Sequence, residues 1–147
     1  SRYPGSADGA IPEGYDQIAD PFIALSRAPA TTRTIELGTG ICLVPEHNPL
    51  LLAKEVATLD HLSGGRMVLG IGASGPQVVE GWYGQPYPRP LARTREYVRV
   101  LRDTIAREKV GSDGPHYPIP YPGGTGLMSG AVFGRAAGSS AGRAATG

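Results

Sequence analysis

The feature that most restricts the fold is an uninterrupted order of buried strand, capped helix and buried strand between Thr34 and Ile71. Thr34 to Val44 carries the run IELGTGICLV, apolar with little alternation, as in a strand covered on both faces of a parallel sheet. Gly38 and Gly40 interrupt it, which suggests a bulge or a close approach to the backbone. Asn48-Pro49 then offers a capping side chain and a proline at the first helical position. Leu52, Val56, Leu59 and Leu62 follow at spacings of three and four, an apolar stripe on a helix from Pro49 to about Leu62. Gly64-Gly65 supplies a left-handed stop, and RMVLGI from Arg66 to Ile71 forms the second strand. Two parallel strands joined by a helix make a crossover unit that is right-handed in nearly all proteins. The class is therefore α/β, with strands near 34–44 and 66–72 as parallel neighbours.

The flanks are less regular. Residues 1–19 read as loop, and Asp20-Pro21 starts a short helix through Phe22, Ile23, Leu25 and Ala28 that Pro29 limits. After Gly72-Ala73-Ser74-Gly75 an irregular Gly, Pro and aromatic segment runs to Pro90. Leu91 to Glu108 reads as an amphipathic helix, with Tyr97, Leu101 and Ile105 on one face and most arginines elsewhere. Residues 111–124 read as loop. The tail 126–147 is Gly, Ala, Ser and Arg with few large apolar residues; it is expected to be disordered or non-native, with a flexible linker as the alternative. The folded domain is assigned to 1–125.

Composition excludes several classes of function. The formal net charge is +1 with acidic and basic residues interleaved, which leaves no electrostatic footprint for nucleic acid or an anionic membrane. No apolar run approaches the roughly 18 residues of a membrane span. The single cysteine, Cys42, excludes an intrachain disulfide framework and a multi-thiolate metal site, and a cytoplasmic setting fits it best. Ser1-Arg2-Tyr3-Pro4 reads like the middle of a protein.

Three stretches resemble the luciferase-like monooxygenase superfamily, in its branch using coenzyme F-420, an 8-hydroxy-5-deazaflavin. They are LGTGICLVPEHNPLLLAKEVATLDHLSGGR from Leu37, MVLGIGASGPQVVEGWYGQP from Met67, and PLARTREYVRVLRDTIARE followed by HYPIPYPGGTGL. The resemblance implies a (β/α)8 TIM barrel, of which these strands look like the third and fourth. A complete barrel takes about 250 residues, so 147 residues imply a fragment that is inactive alone. Barrel active sites lie at the C-terminal ends of the strands. By resemblance, Gly40-Ile41 matches a bulge with a non-prolyl cis peptide that presses on one face of the cofactor ring. Gly40, Ile41 and Cys42, and the loop residues Ala73, Ser74 and Gly75, are thus the expected cofactor contacts. Packing glycines and an ordinary strand-to-helix turn are the plainer readings of the two segments.

Implied with the family are a small-molecule substrate and an intact parent that can form a homo-oligomer. The expected chemistry is hydride transfer between a deazaflavin and an organic substrate. The alternatives are an FMN-dependent luciferase-like monooxygenase and a non-catalytic fragment of either. Glu80 is the candidate for proton handling, against its reading as a surface carboxylate. Trp82 and Tyr83 can line the substrate cleft or simply pack. Relatives often carry a histidine after the second strand, where Ser1-Arg2 stands here. His47 is assigned to a turn, His61 to the last helical turn and His116 to a loop, all structural or solvated. Asp60 and Arg66, flanking the Ser63-Gly64-Gly65 turn, are expected to be structural and can pair. A Rossmann alternative rests on Gly70, Gly72 and Gly75 in a G-x-G-x-x-G pattern, with its acid near Glu96.

Overall fold

The computed structural model describes residues 7–10, 13–106, 108 and 110–120. The tail assigned to disorder, 126–147, lies outside the described residues. The two predicted strands are each broken in the middle. The first becomes β1 (Leu37–Gly38) and β2 (Cys42–Leu43), and the second becomes β3 (Met67–Val68) and β4 (Ile71–Gly72). β1 runs parallel to β3 with Leu37 opposite Met67, and β2 runs parallel to β4 with Cys42 opposite Ile71. The parallel order expected from the sequence is thus present.

The break has a register. Between the paired ends, Thr39, Gly40 and Ile41 on one side face only Leu69 and Gly70 on the other. One extra residue on one strand is a β-bulge, and it turns the chain locally out of the ladder. The Gly40–Ile41 peptide bond within it is cis, as the resemblance implied. The Cys42 N–H resumes the ladder by donating to the Gly70 carbonyl at 2.8 Å.

The crossover helix α3 (Pro49–Ser63) starts where its cap predicts: the Asn48 side chain accepts from the Leu50 N–H at 2.9 Å. Gly64 ends it in the left-handed conformation, at φ 72°. Its buried positions include Leu52, Ala53, Leu59 and Ser63, whereas Leu62 is exposed although the stripe included it. At about 3.6 residues per turn, Leu62 and Leu51 stand roughly a quarter turn off the line through Leu52, Leu59 and Ser63. That line is the one that packs on β3 and on the later helix α5 (Pro90–Ala106).

Helix α5 is corrected in the same way. Tyr97, Val100, Leu101 and Thr104 form its buried face, and Ile105 is exposed. Thr104 is buried at little cost because its hydroxyl donates to the Val100 carbonyl at 2.7 Å. The helix predicted after Asp20 divides into α1 (Pro21–Leu25) and α2 (Ala28–Thr31). Pro29 does not end a helix here but opens the next, in the first turn, where no N–H is needed. The Asp20 carboxylate caps α1 through the Ile23 N–H at 2.8 Å.

Asp60 and Arg66 are structural but do not pair. Asp60 Oδ1 accepts from the Met67 N–H, while the Arg66 guanidinium donates to the Ser63, Ile35 and Thr32 carbonyls. A five-donor fork suits such carbonyl ends and fastens the start of β1 to the α3–β3 turn. The core gathers Phe22, Leu37, Cys42, Val44, Leu52, Ala53, Leu59, Tyr97 and Leu101. Among the described residues no helix is long and apolar enough to cross a membrane.

Candidate functional site

The bulge opens onto a cleft of about 1090 Å³ at the C-terminal ends of β1 and β2. Thr39, Gly40, Ile41 and Cys42 form its floor, and Tyr15, Ile18 and Trp82 stand among its other lining residues. A Cβ built on Gly40 would meet no atom within 4 Å, so this backbone offers a bare face to the cleft. The neighbouring glycines do the opposite. A Cβ on Gly70 would overlap the Thr39 carbonyl oxygen, and one on Gly72 would overlap Ile41 Cδ1. Gly70 and Gly72 therefore allow the bulged segment to lie against β4.

This accounts for the first two glycines of the G-x-G-x-x-G pattern without a dinucleotide. The helix that follows, α4 (Pro76–Val79), is a single short turn. Glu96 lies within α5, where its carboxylate accepts from the His116 and Tyr117 N–H groups. The Rossmann reading is set aside.

Of the predicted contacts, Gly40, Ile41 and Cys42 line the cleft, whereas Ala73, Ser74 and Gly75 do not. Ala73 borders a separate small hollow with Val44, Pro45 and Tyr87. Ser74 has φ 62°, and its carbonyl accepts from the Tyr87 hydroxyl at 2.5 Å. Glu80 is exposed, accepts from the Tyr87 N–H at 3.3 Å, and is not part of the cleft wall. Trp82 is in the wall and half exposed.

Cys42 is buried, and its thiol is pushed up to about 11, first by burial and then by Glu46, Glu55 and Asp20. It stays protonated near neutrality and is a poor nucleophile.

The cleft also holds groups that sequence reasoning missed. The short 3-10 turn Val44–Glu46 follows β2 directly and delivers Glu46 and His47 to the wall. The Tyr83 hydroxyl donates to Glu46 Oε1, and the phenol is pushed up to about 12 by burial and by this carboxylate. His47, assigned to a turn, does leave that turn, but its imidazole lies between two carboxylates. Nε2 is 3.7 Å from Glu46 Oε2, and Nδ1 is 3.7 Å from Glu55 Oε2. The Phe22 ring meets the imidazole edge to face, with centroids 6.1 Å apart. Glu55 Oε2 is buried with no hydrogen-bond partner, and burial raises the pKa of this carboxyl, opposed by His47 and reinforced by Asp20. The rule that barrel chemistry sits just past a strand's C-terminal end was available to find Glu46 and His47. Glu55, on the crossover helix, carried no such signal. Among the described residues no His, Cys, Asp or Glu group is arranged to hold a metal ion.

The family model described as luciferase-like monooxygenase matches residues 6–147. A Mycobacterium tuberculosis protein named, provisionally, as a coenzyme F420-dependent oxidoreductase is 50% identical over 118 residues, covering 75% of this chain and 34% of that protein. A 5,10-methylenetetrahydromethanopterin reductase of Archaeoglobus fulgidus is 41% identical over 83 residues, covering 56% of this chain and 25% of the reductase. The crystal structure of monooxygenase RslO1 from Streptomyces bottropensis superposes with a TM-score of 0.62 at 32% identity, over 68% of this chain and 30% of that one. The chain thus spans about a third of the length of its mycobacterial relative. The match covers both the bulged strand and its parallel partner, and the chain belongs to the luciferase-like monooxygenase family.

Proposed function

We propose that this protein is an oxidoreductase that moves a hydride between a deazaflavin, coenzyme F420, and a small organic substrate. The observation that carries the reading is the bare backbone face at Gly40, in a cleft whose wall combines the apolar and aromatic residues Ile18, Ile41, Tyr15 and Trp82 with the polar pair Glu46 and His47. A flat tricyclic ring fits such a floor, because its π face needs close contact with backbone and no side chain between. A volume of about 1090 Å³ leaves room for a second molecule beside the ring. The bound ring would supply the hydride chemistry, and this chain would supply position and electrostatics. Gly40 and Ile41 would hold one ring face, Cys42 would fill the space beneath, and Trp82 would cover an edge. Similarity to the provisionally named F420-dependent relative supports the deazaflavin over other rings.

The second reading is an FMN-dependent monooxygenase, and likeness to RslO1 favours it. Trp82 is the chain's single tryptophan and stands in the cleft, so its fluorescence reports on ring binding directly. Titration with coenzyme F420 and with FMN is expected to quench it at lower concentration with F420. Quenching by FMN alone would transfer the assignment to the monooxygenase reading, and no quenching by either would remove the ring from this cleft.

A further inference from the structure

His47 shares the cleft wall with Gly40, Ile41 and Cys42. It is the only histidine of the three in the sequence that does so. Each ring nitrogen faces a carboxylate at 3.7 Å, Nδ1 toward Glu55 and Nε2 toward Glu46. Both separations exceed an ordinary hydrogen bond. The carboxylates therefore hold the imidazole electrostatically, without a hydrogen bond to either ring nitrogen, at the wall of the cleft. The Phe22 edge contact at 79° restricts rotation of the ring. The line extends from Glu46 to the Tyr83 hydroxyl. At its other end, Glu55 Oε2 is buried with no hydrogen bond, so the imidazole is its cationic neighbour when protonated.

We propose that His47 is the acid–base residue that faces the bound ring, exchanging the proton that accompanies hydride transfer, with Glu55 and Glu46 as its positioning residues. This rests on the deazaflavin reading above. In the reducing direction, a substrate carbon doubly bonded to oxygen or nitrogen gains the hydride, and its π pair moves to the heteroatom. That atom bonds to the proton as the His47 N–H breaks, and the N–H electron pair stays on the imidazole. The two electrons arrive with the hydride from the reduced deazaflavin. In the opposite direction neutral His47 takes the proton back. Imidazole is suited to both roles near neutral pH. The charged and titratable groups around it are Asp20 before α1, Cys42 on β2, Glu46, Glu55 on α3 and Tyr83 after α4.

The test needs no substrate. An 8-hydroxydeazaflavin has an acidic ring hydroxyl, and its ionisation changes the visible absorption band. Coenzyme F420 bound to the protein is titrated with pH in the wild type and in His47→Gln, Glu55→Gln and His116→Gln. In the acid form that the proposal requires, His47 places a positive charge beside the ring and favours the ring anion, so His47→Gln should raise the midpoint by about half a pH unit or more, roughly a threefold change in the ionisation equilibrium. Glu55→Gln removes a negative charge and should lower it, and it carries the test alone if His47→Gln does not fold by circular dichroism. His116→Gln should leave it unchanged. Bound cofactor with one midpoint in all four proteins would overturn the inference while leaving the deazaflavin reading intact. Failure of the wild type to bind the cofactor would end both.

Discussion

The Thr39 hydroxyl holds both backbone polar groups of Gly70, donating to its carbonyl at 2.8 Å and accepting from its N–H at 3.0 Å. The side chain thereby gives the Gly70 N–H an acceptor at the bulge and shares the Gly70 carbonyl with the Cys42 N–H. Thr39→Val keeps the shape and deletes both bonds. It is expected to destabilise the protein by about 1–3 kcal/mol, since a part-buried N–H loses its partner. Thr39→Ser should recover most of the loss, and thermal unfolding of the pair checks this.

Gly40 and Gly70 are expected to separate binding from folding. A side chain at Gly40 enters open space, so Gly40→Val should leave the unfolding midpoint near wild type and weaken cofactor binding by about tenfold or more. A side chain at Gly70 meets the Thr39 backbone carbonyl, so Gly70→Ala should lower the midpoint. Gly72→Ala meets only the flexible tip of Ile41 and should cost less than Gly70→Ala. Calorimetry beside the Trp82 titration orders all three, and a folding defect in Gly40→Val would remove it from the ring face.

Glu55 links stability to pH. Its carboxyl is shifted upward chiefly by burial, so folding favours the protonated form. The sign follows: this contribution is complete below the unfolded carboxyl range and is lost as pH rises through the folded value. Glu55→Gln should therefore raise the unfolding midpoint at pH 7 relative to wild type, with the difference shrinking toward pH 4. A variant less stable at pH 7 would mean that the His47 attraction outweighs desolvation.

Cys42 should be silent to thiol reagents in the folded protein. Its thiol is shifted up to about 11 and its side chain is buried. Iodoacetamide at pH 8 is expected to label it only after unfolding in denaturant. Rapid labelling of the native protein would contradict the packing around β2.

The 147-residue chain by itself is expected to show no turnover and to associate in solution. Ile18, Ile23, Ile35 and Val68 are exposed, and among the described residues each parallel sheet pairs only two strands. Strand edges and exposed apolar faces invite pairing with other chains. Analytical ultracentrifugation with an F420 reduction assay decides it; a monomer with turnover would show that the described elements suffice.

Much of the fold was legible because local chemistry repeats at short range. Asn48-Pro49 and Gly64 bound α3 as capping predicts, Asp20-Pro21 starts α1, and the apolar runs on either side of α3 pair in parallel. The faces of α3 and α5 were legible only approximately. Periodicity marks apolar positions, but which of them are covered depends on the neighbour, and here Leu62 and Ile105 fall outside the contact.

The site divides along the same line. By itself the sequence determined the glycine-interrupted strand, its partner and the crossover between them, because strand burial, caps and stops are written in adjacent residues. Only the tertiary structure decided what the glycines are for: Gly40 is open to the cleft, while Gly70 and Gly72 admit the bulge. It also decided that His47 stands between Glu46 and Glu55, and that Ala73 borders a separate hollow while Ser74 and Gly75 are not among the residues lining the cleft. These relationships join β2, α3 and the segment after α4, which are distant in sequence. No local pattern encodes a distance between side chains that meet only when the helix packs back on the strands.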